Sequence, residues 1–323
     1  RPRVMGFVLT ISALLIVSTN LLVGTALLKL LLKRGCQSWC FVLNLALADT
    51  LVGVAITGLA TEDFNNKFIQ GKTRCLLRMS FLTSTCMASI LTMFLISLDR
   101  YMAIKMPLRY SLMSGKWKTT GSLLAVWISS FTMGFLPDTR EHRWRDFCYI
   151  KSNRCLHLRC CEKVTHDIAI IVLYCLLFFP VLSLFIYMYL DILKIACIHH
   201  KQISQIRQTS SRPEESSHGQ SQYHHHHQHQ LLRSWSHVKA LRTVGVLIGC
   251  FLVLWSPFFV VCIVHLLCRE CALKEVLENY LWLLGLFNSL INPLVYACWQ
   301  REVRLQLSDM FSCITNRLLS AAP

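Results

Sequence analysis

Seven long apolar blocks divide this chain, and nothing constrains its fold more. They run from Val4 to Leu32, Trp39 to Leu59, Cys75 to Ala103, Thr119 to Leu136, Ile168 to Ala196, Ala240 to Leu267 and Val276 to Trp299. Each is near the roughly 20 residues that a helix needs to cross the hydrocarbon of a bilayer. In hydrocarbon the backbone must satisfy its own N–H and C=O groups, which only helices and closed barrels achieve. These blocks are too long for barrel strands and lack period-two alternation, so helices are expected. Composition agrees: 54% of the residues are hydrophobic and 15% charged, where a soluble domain carries about a quarter charged. The expected fold is all-α and membrane-embedded, a seven-transmembrane helix bundle over residues 1–299. The first block is too long for a signal-peptide core and has no A-x-A-like site, so no cleaved leader is expected.

The loops set the orientation. Lys33 and Arg34 follow the first block, and Lys105, Arg109, Lys116 and Lys118 follow the third. Lys194, Lys201, Arg207, Arg212 and Arg233 mark the fifth connection, and Arg301, Arg304 and Arg317 the tail. The opposite loops mix their bases with Glu62, Asp63, Asp138, Glu141, Asp146, Glu162, Glu270 and Glu275. Basic loops stay in the cytoplasm, which places the N-terminus outside the cell. The net charge of +16 therefore forms a basic cytoplasmic face that meets anionic membrane lipids. The bases are scattered over loops rather than set on one module, which argues against nucleic acid as a partner.

Sixteen cysteines sort by side. Cys75 opens the third block at its outer end, and the long outer loop carries Cys148, Cys155, Cys160 and Cys161. A disulfide persists outside the cell, and a bridge from Cys75 would pin that loop over the bundle. Cys160 is the favoured partner and Cys161 the next, although spacing does not decide pairing. Cys268 and Cys271 form a C-x-x-C that lacks a second ligand pair for zinc and reads as a local disulfide. Residues 197–237 include "QTSSRPEESSHGQSQYHHHHQHQ". This polar, repetitive, His-rich stretch is expected to be a disordered cytoplasmic loop.

Polar groups inside the blocks are costly and so are candidates for function. They are Asn20, Asp49, Ser89, Asn288, Ser289 and Asn292. Interhelical hydrogen bonding accounts for Asn20 and Ser289. The Asp49 carboxylate needs a cation, a proton or a cage of donors. Converging oxygens suit a small hard cation, so Na+ is expected on Asp49, Ser89, Asn288, Ser289 and Asn292. Pro180, Pro257 and Pro293 each remove a helical hydrogen bond within a block. Phe251 and Trp255 stand one turn apart just before Pro257. They are either core packing or a link between a pocket above and a hinge below.

Eight motifs in order then identify a family. Asn20, "LALAD" ending at Asp49, Cys75, "DRY" at 99–101, Trp127, Pro180, "FLVLWSPF" at 251–258 and "NPLVY" at 292–296 resemble class A (rhodopsin-like) G-protein-coupled receptors over nearly the whole chain. "LNLALADTLVGVAITGL", "LDRYMAIKMPLRY", "KALRTVGVLIG", "ENYLWLLGLFNSLINPLVYA" and "WQREVRLQL" are similar to a member that senses fatty-acid ethanolamides and related lipids. That member raises cyclic AMP through the stimulatory G protein. The resemblance implies a plasma-membrane receptor and not an enzyme. Its partners would be a heterotrimeric stimulatory G protein, a lipid agonist and arrestin. It implies a short amphipathic eighth helix in 300–323, with the chain cut near the start of the first helix and in the tail. It also implies that Asp99 pairs with Arg100 at rest and that Arg100 turns toward the G protein on activation. Tyr101 would shape the partner-facing loop, Tyr296 would join the coupling end, and Phe251, Trp255, Pro257, Asn292 and Pro293 would form the activation switch.

Departures sharpen that reading. Relatives hold the arginine with an acid 20 residues before Pro257, where this chain has His237. The tyrosine eight residues after Pro180 is Met188, and the cysteine before Trp255 is Leu254. A weak resting lock and high basal activity are expected. Leu82 stands where amine receptors carry an aspartate, and Leu286 where opsins carry a lysine. The expected ligand pocket is Phe81, Leu82, Thr85, Cys86, Trp255, Phe258, Phe259, Cys262 and Trp282, with Arg78 and Glu278 at its mouth. Such a wall suits a long acyl chain with a small polar head, a lipid amide or lysophospholipid. A receptor for another lipid is the nearest alternative. A transporter or membrane enzyme is a remote one, because H-E-x-x-H, G-x-S-x-G and P-loop motifs are absent, as are paired interrupted helices.

Overall fold

A computed structural model describes residues 2–64, 72–113, 115–141, 168–210, 221–268 and 281–320. Every element among the described residues is helical. The first four are α1 (Pro2–Arg34), α2 (Ser38–Phe64), α3 (Lys72–Lys105) and the short α4 (Pro107–Met113). Then come α5 (Lys116–Glu141), α6 (Ile168–Ser210) and α7 (Ser221–Leu267). The chain ends in α8 (Trp282–Leu286), α9 (Asn288–Trp299) and α10 (Arg301–Ser320). The first six blocks are thus α1, α2, α3, α5, α6 and α7, and the seventh is α8 with α9.

Helices α1, α2, α3, α6 and α7 each contain a stretch long and apolar enough to cross a membrane. The seventh block contributes the shorter apolar run Leu283–Trp299. Helix α5 has the length but is diluted by Thr119, Thr120, Ser122, Ser129, Ser130 and Thr132. Packing closes the helices into a ring. Helix α1 lies on α2, α2 on α3, α6 on α7, α7 on α9, and α9 returns to α1, with α3 also touching α5, α6 and α7.

Small residues allow the tight crossings. A Cβ at Gly134 would lie 2.6 Å from the Ser80 carbonyl oxygen, so α5 meets α3 there almost backbone to backbone. At Gly53 it would lie 2.7 Å from Val17, at the α1–α2 crossing. Gly35, at φ 62°, makes the left-handed turn that links those two helices.

Two elements differ from expectation. The stretch 197–237 is not without structure throughout. Helix α6 runs on to Ser210 and α7 begins at Ser221, so only 211–220 lies outside the described residues. Extending a formed helix is cheap because nucleation is already complete. The eighth helix, expected to be short, is α10 with 20 residues. Val303, Gln306 and Leu307 form its buried stripe, with Met310 against the core. Lys33 Nζ donates to Gln306 Oε1 at 3.0 Å, and Arg34 pairs with Glu302, tying α10 to the end of α1.

Candidate functional site

The polar centre is built where α2, α3 and α9 meet. Asp49 is fully buried. Its two carboxylate oxygens accept from Ser89 Oγ at 2.6 Å and Asn292 Nδ2 at 2.8 Å. Pro293 has no N–H, so the Ser289 carbonyl lacks its helical donor. Asn20 Nδ2 crosses from α1 and supplies one at 2.9 Å. The glue expected at Asn20 and Ser289 is therefore a direct consequence of the helix-breaking proline. Asn288 Nδ2 points at Met93 Sδ at 3.5 Å. The Oδ1 atoms of Asn288 and Asn292 are buried without a hydrogen-bond partner among the described residues. A carboxylate, hydroxyls and unsatisfied amide oxygens make a hard donor set with one negative charge. It fits a monovalent cation better than a divalent one, which draws more carboxylates.

A second network braces the same centre. Trp127 Nε1 donates to Asn44 Oδ1 at 2.9 Å, and Asn44 Nδ2 donates to Thr92 Oγ1 at 2.9 Å. The family tryptophan of α5 is thereby fastened to α2 and α3.

Near the C-terminal end of α3, Arg100 Nε lies 3.7 Å from Asp99 Oδ2. The expected pair is present but long, because both Asp99 oxygens serve hydroxyl donors. Ser38 Oγ donates to Oδ2 at 3.0 Å and Tyr110 Oη to Oδ1 at 2.9 Å. Burial, and then the neighbouring Asp99 charge, raise the Tyr110 phenol above its usual range, with the Ser38 hydrogen bond opposing. Tyr101, expected to shape the partner-facing loop, reaches across to α6. Its Oη donates to Asp191 Oδ2 at 2.9 Å, and Lys105 Nζ donates to the same oxygen at 2.6 Å. Tyr296 is buried and packs in the main core.

The residues expected to form the switch lie on α7 and α9. Phe251 is fully buried between Phe178 and Phe185, with ring centroids 5.7 Å away in each case. Trp255 lies against Gly285 of α8, where a Cβ would be 2.8 Å from the indole. Pro257 sits inside α7 and Pro293 inside α9.

The expected pocket wall falls into two packed groups. Trp255, Phe258 and Phe259 join the main core, where Phe259 stacks on Phe178 at 3.8 Å and Phe258 meets Trp255 edge-on. Cys262, one turn beyond Phe258, is buried. Phe81, Leu82 and Cys86 instead pack with Leu9, Ile16, Val52, Ile56 and Leu286 on the α1–α2 side. Thr85 is fully buried and its hydroxyl donates to the Leu82 carbonyl at 2.9 Å. Arg78 Nη1 donates to the Gly58 carbonyl at 3.0 Å, which draws the guanidinium onto α2. Glu278, Cys160 and Cys271 lie outside the described residues, as do the side chains of Trp282, Cys75 and His237. Cys268 is disulfide-bonded.

Sequence reasoning missed Asp191, although a carboxylate inside an apolar block is the signal that flagged Asp49. It also missed Ser38 and Gly285, whose partners Asp99 and Trp255 lie far away in the chain, and Tyr110, which returns to Asp99 from the next short helix.

Comparison with known proteins adds the family. The model for "7 transmembrane receptor (rhodopsin family)" matches residues 19–296. The chain is 42% identical over 306 residues to the human (Homo sapiens) glucose-dependent insulinotropic receptor, covering 94% of this chain and 85% of that protein. It is 41% identical over 312 residues to the rat (Rattus norvegicus) receptor of the same name, covering 94% of this chain and 61% of the relative. The human histamine H2 receptor is 28% identical over 280 residues, covering 86% of this chain and 71% of that protein.

Proposed function

The chain belongs to the rhodopsin family of seven-transmembrane receptors, and from that premise we propose that it is a lipid-sensing receptor that raises cyclic AMP through the stimulatory G protein. The family makes it a G-protein-coupled receptor of the plasma membrane and not an enzyme. Its agonist is a lipid amide or lysophospholipid, and its N-terminus faces outward. The insulinotropic relatives extend the proposal to insulin secretion. Arrestin is a further partner on the cytoplasmic face.

One observation carries the ligand class. Leu82, in the place where amine receptors hold an acid, is buried among aliphatic side chains, and Trp255, Phe258 and Phe259 form an aromatic wall on the other side. An ammonium head would find no counter-charge at Leu82, while an acyl chain finds apolar surface. On the inner side, Asp49, Ser89, Asn288, Ser289 and Asn292 are the residues that would hold Na+. The ion would favour the resting arrangement of α2, α3 and α9.

The deciding experiment measures cyclic AMP in cells expressing the chain, challenged with fatty-acid ethanolamides, lysophospholipids, histamine and octopamine. The lipids are expected to raise it and the amines to leave it at baseline. A response to an amine and to none of the lipids overturns the assignment.

A further inference from the structure

Asp191 has no part in the roles assigned so far, yet it accepts hydrogen bonds from two side chains of α3. Tyr101 and Lys105, four residues apart, share one face of α3. Both donate to a single oxygen of Asp191 on α6, at 2.9 and 2.6 Å. The carboxylate side chain is 18% exposed. An acid in an apolar helix is tolerated when it is paired and hydrogen-bonded, and losing the partner leaves an uncompensated charge. Bonds to an ionised group are also the stronger ones. Two residues before Asp191, the Tyr189 ring lies on Gly245 of α7, where a Cβ would be 2.6 Å from the ring. Side chains of α6 therefore reach α3 at one point and α7 at another, within one turn.

Side chains thus link α3 to α7 through α6, beside the direct packing of α3 on α7. We propose that Asp191 is a positioning residue for G-protein coupling, clamping α3 to α6 at rest and, through Tyr189 on Gly245, keeping α7 closed. This rests on the family's G-protein partner but not on the stimulatory class or the lipid agonist. Release of the clamp frees α6, and with it α7, to open the cytoplasmic face.

The test is ligand-independent nucleotide exchange on a panel of purified G proteins, using the full chain in membranes at matched receptor levels. Asp191→Asn is expected to raise basal exchange at least threefold, and Asp191→Glu to stay near the parent. Lys105→Asp alone should also raise it, and the double variant Lys105→Asp with Asp191→Lys should bring it back toward the parent. Hydrogen exchange at residues 99–105 and 188–194 should quicken in Asp191→Asn and slow again in the charge swap. A general folding defect would not be repaired by the swap. Unchanged or lowered basal exchange in Asp191→Asn, or a swap that restores neither measurement, overturns the clamp. Cyclic AMP is not the readout, so an error in the stimulatory class would appear as exchange on a different G protein and leave this result interpretable.

Discussion

Arg100 is held loosely at rest, because Asp99 already serves Ser38 and Tyr110. The Arg100 side chain is 28% exposed and its Nε lies 3.7 Å from the acid. Removing it leaves Asp99 with two hydroxyl donors, so the fold should tolerate the change. Arg100→Ala is expected to abolish cyclic AMP production while surface expression persists, and a mutant that reaches the surface and signals normally would sink this role. Asp49 is the opposite case, with both oxygens satisfied inside the bundle and one charge available to an ion. Asp49→Asn keeps one acceptor oxygen, replaces the other with an N–H donor and removes the charge, so it should abolish the sodium dependence of agonist affinity. Competition binding with and without NaCl checks this, and retained sodium sensitivity would place the ion elsewhere. Asp49 and Asn20 were legible in the sequence because a polar atom deep in an apolar run has no cheap alternative. Asp191 was not, because an acid near the end of such a run looks like the start of the loop.

At the scale of the helix, the prolines explain contacts as well as bends. Pro293 frees the carbonyl that Asn20 takes, so α1 and α9 are joined at the weak point of α9. Pro257 similarly lets α7 bend below Trp255. With no acid at His237, the resting and active arrangements should differ by only ~1–2 kcal/mol, leaving several per cent of receptors active without ligand. His237→Glu should lower basal cyclic AMP at equal surface expression, and an unchanged baseline would count against the missing acid as its cause. Helix existence was readable from hydrophobic blocks, but helix extent was not. The His-rich stretch looks disordered by composition, yet it follows and precedes long helices that supply the nucleus. Gly285 was equally hidden, since its meaning comes from an indole 30 positions away.

For the molecule as a whole, a ligand of the proposed class would sit between the two packed groups that hold the expected pocket residues. A buried methylene contributes ~0.8 kcal/mol against water, but the membrane offers the chain a similar environment. Selectivity therefore rests on shape and on the head group. Trp282→Ala and Arg78→Ala should each weaken lipid-agonist potency at least tenfold, about 1.4 kcal/mol, without an equal fall in basal signalling. Wild-type potency in both variants for every active lipid would show the pocket to be misplaced. Arg78 also donates to Gly58, so surface expression must be measured alongside potency. The closed ring has one further consequence. Helix α10 is pinned to the end of α1 by Lys33, Arg34 and the Val303–Leu307 stripe, and α1 is sewn to α9 through Asn20. These parts act as the stator of a small machine. The rotor is then expected to be α6 and α7, which none of these named contacts holds.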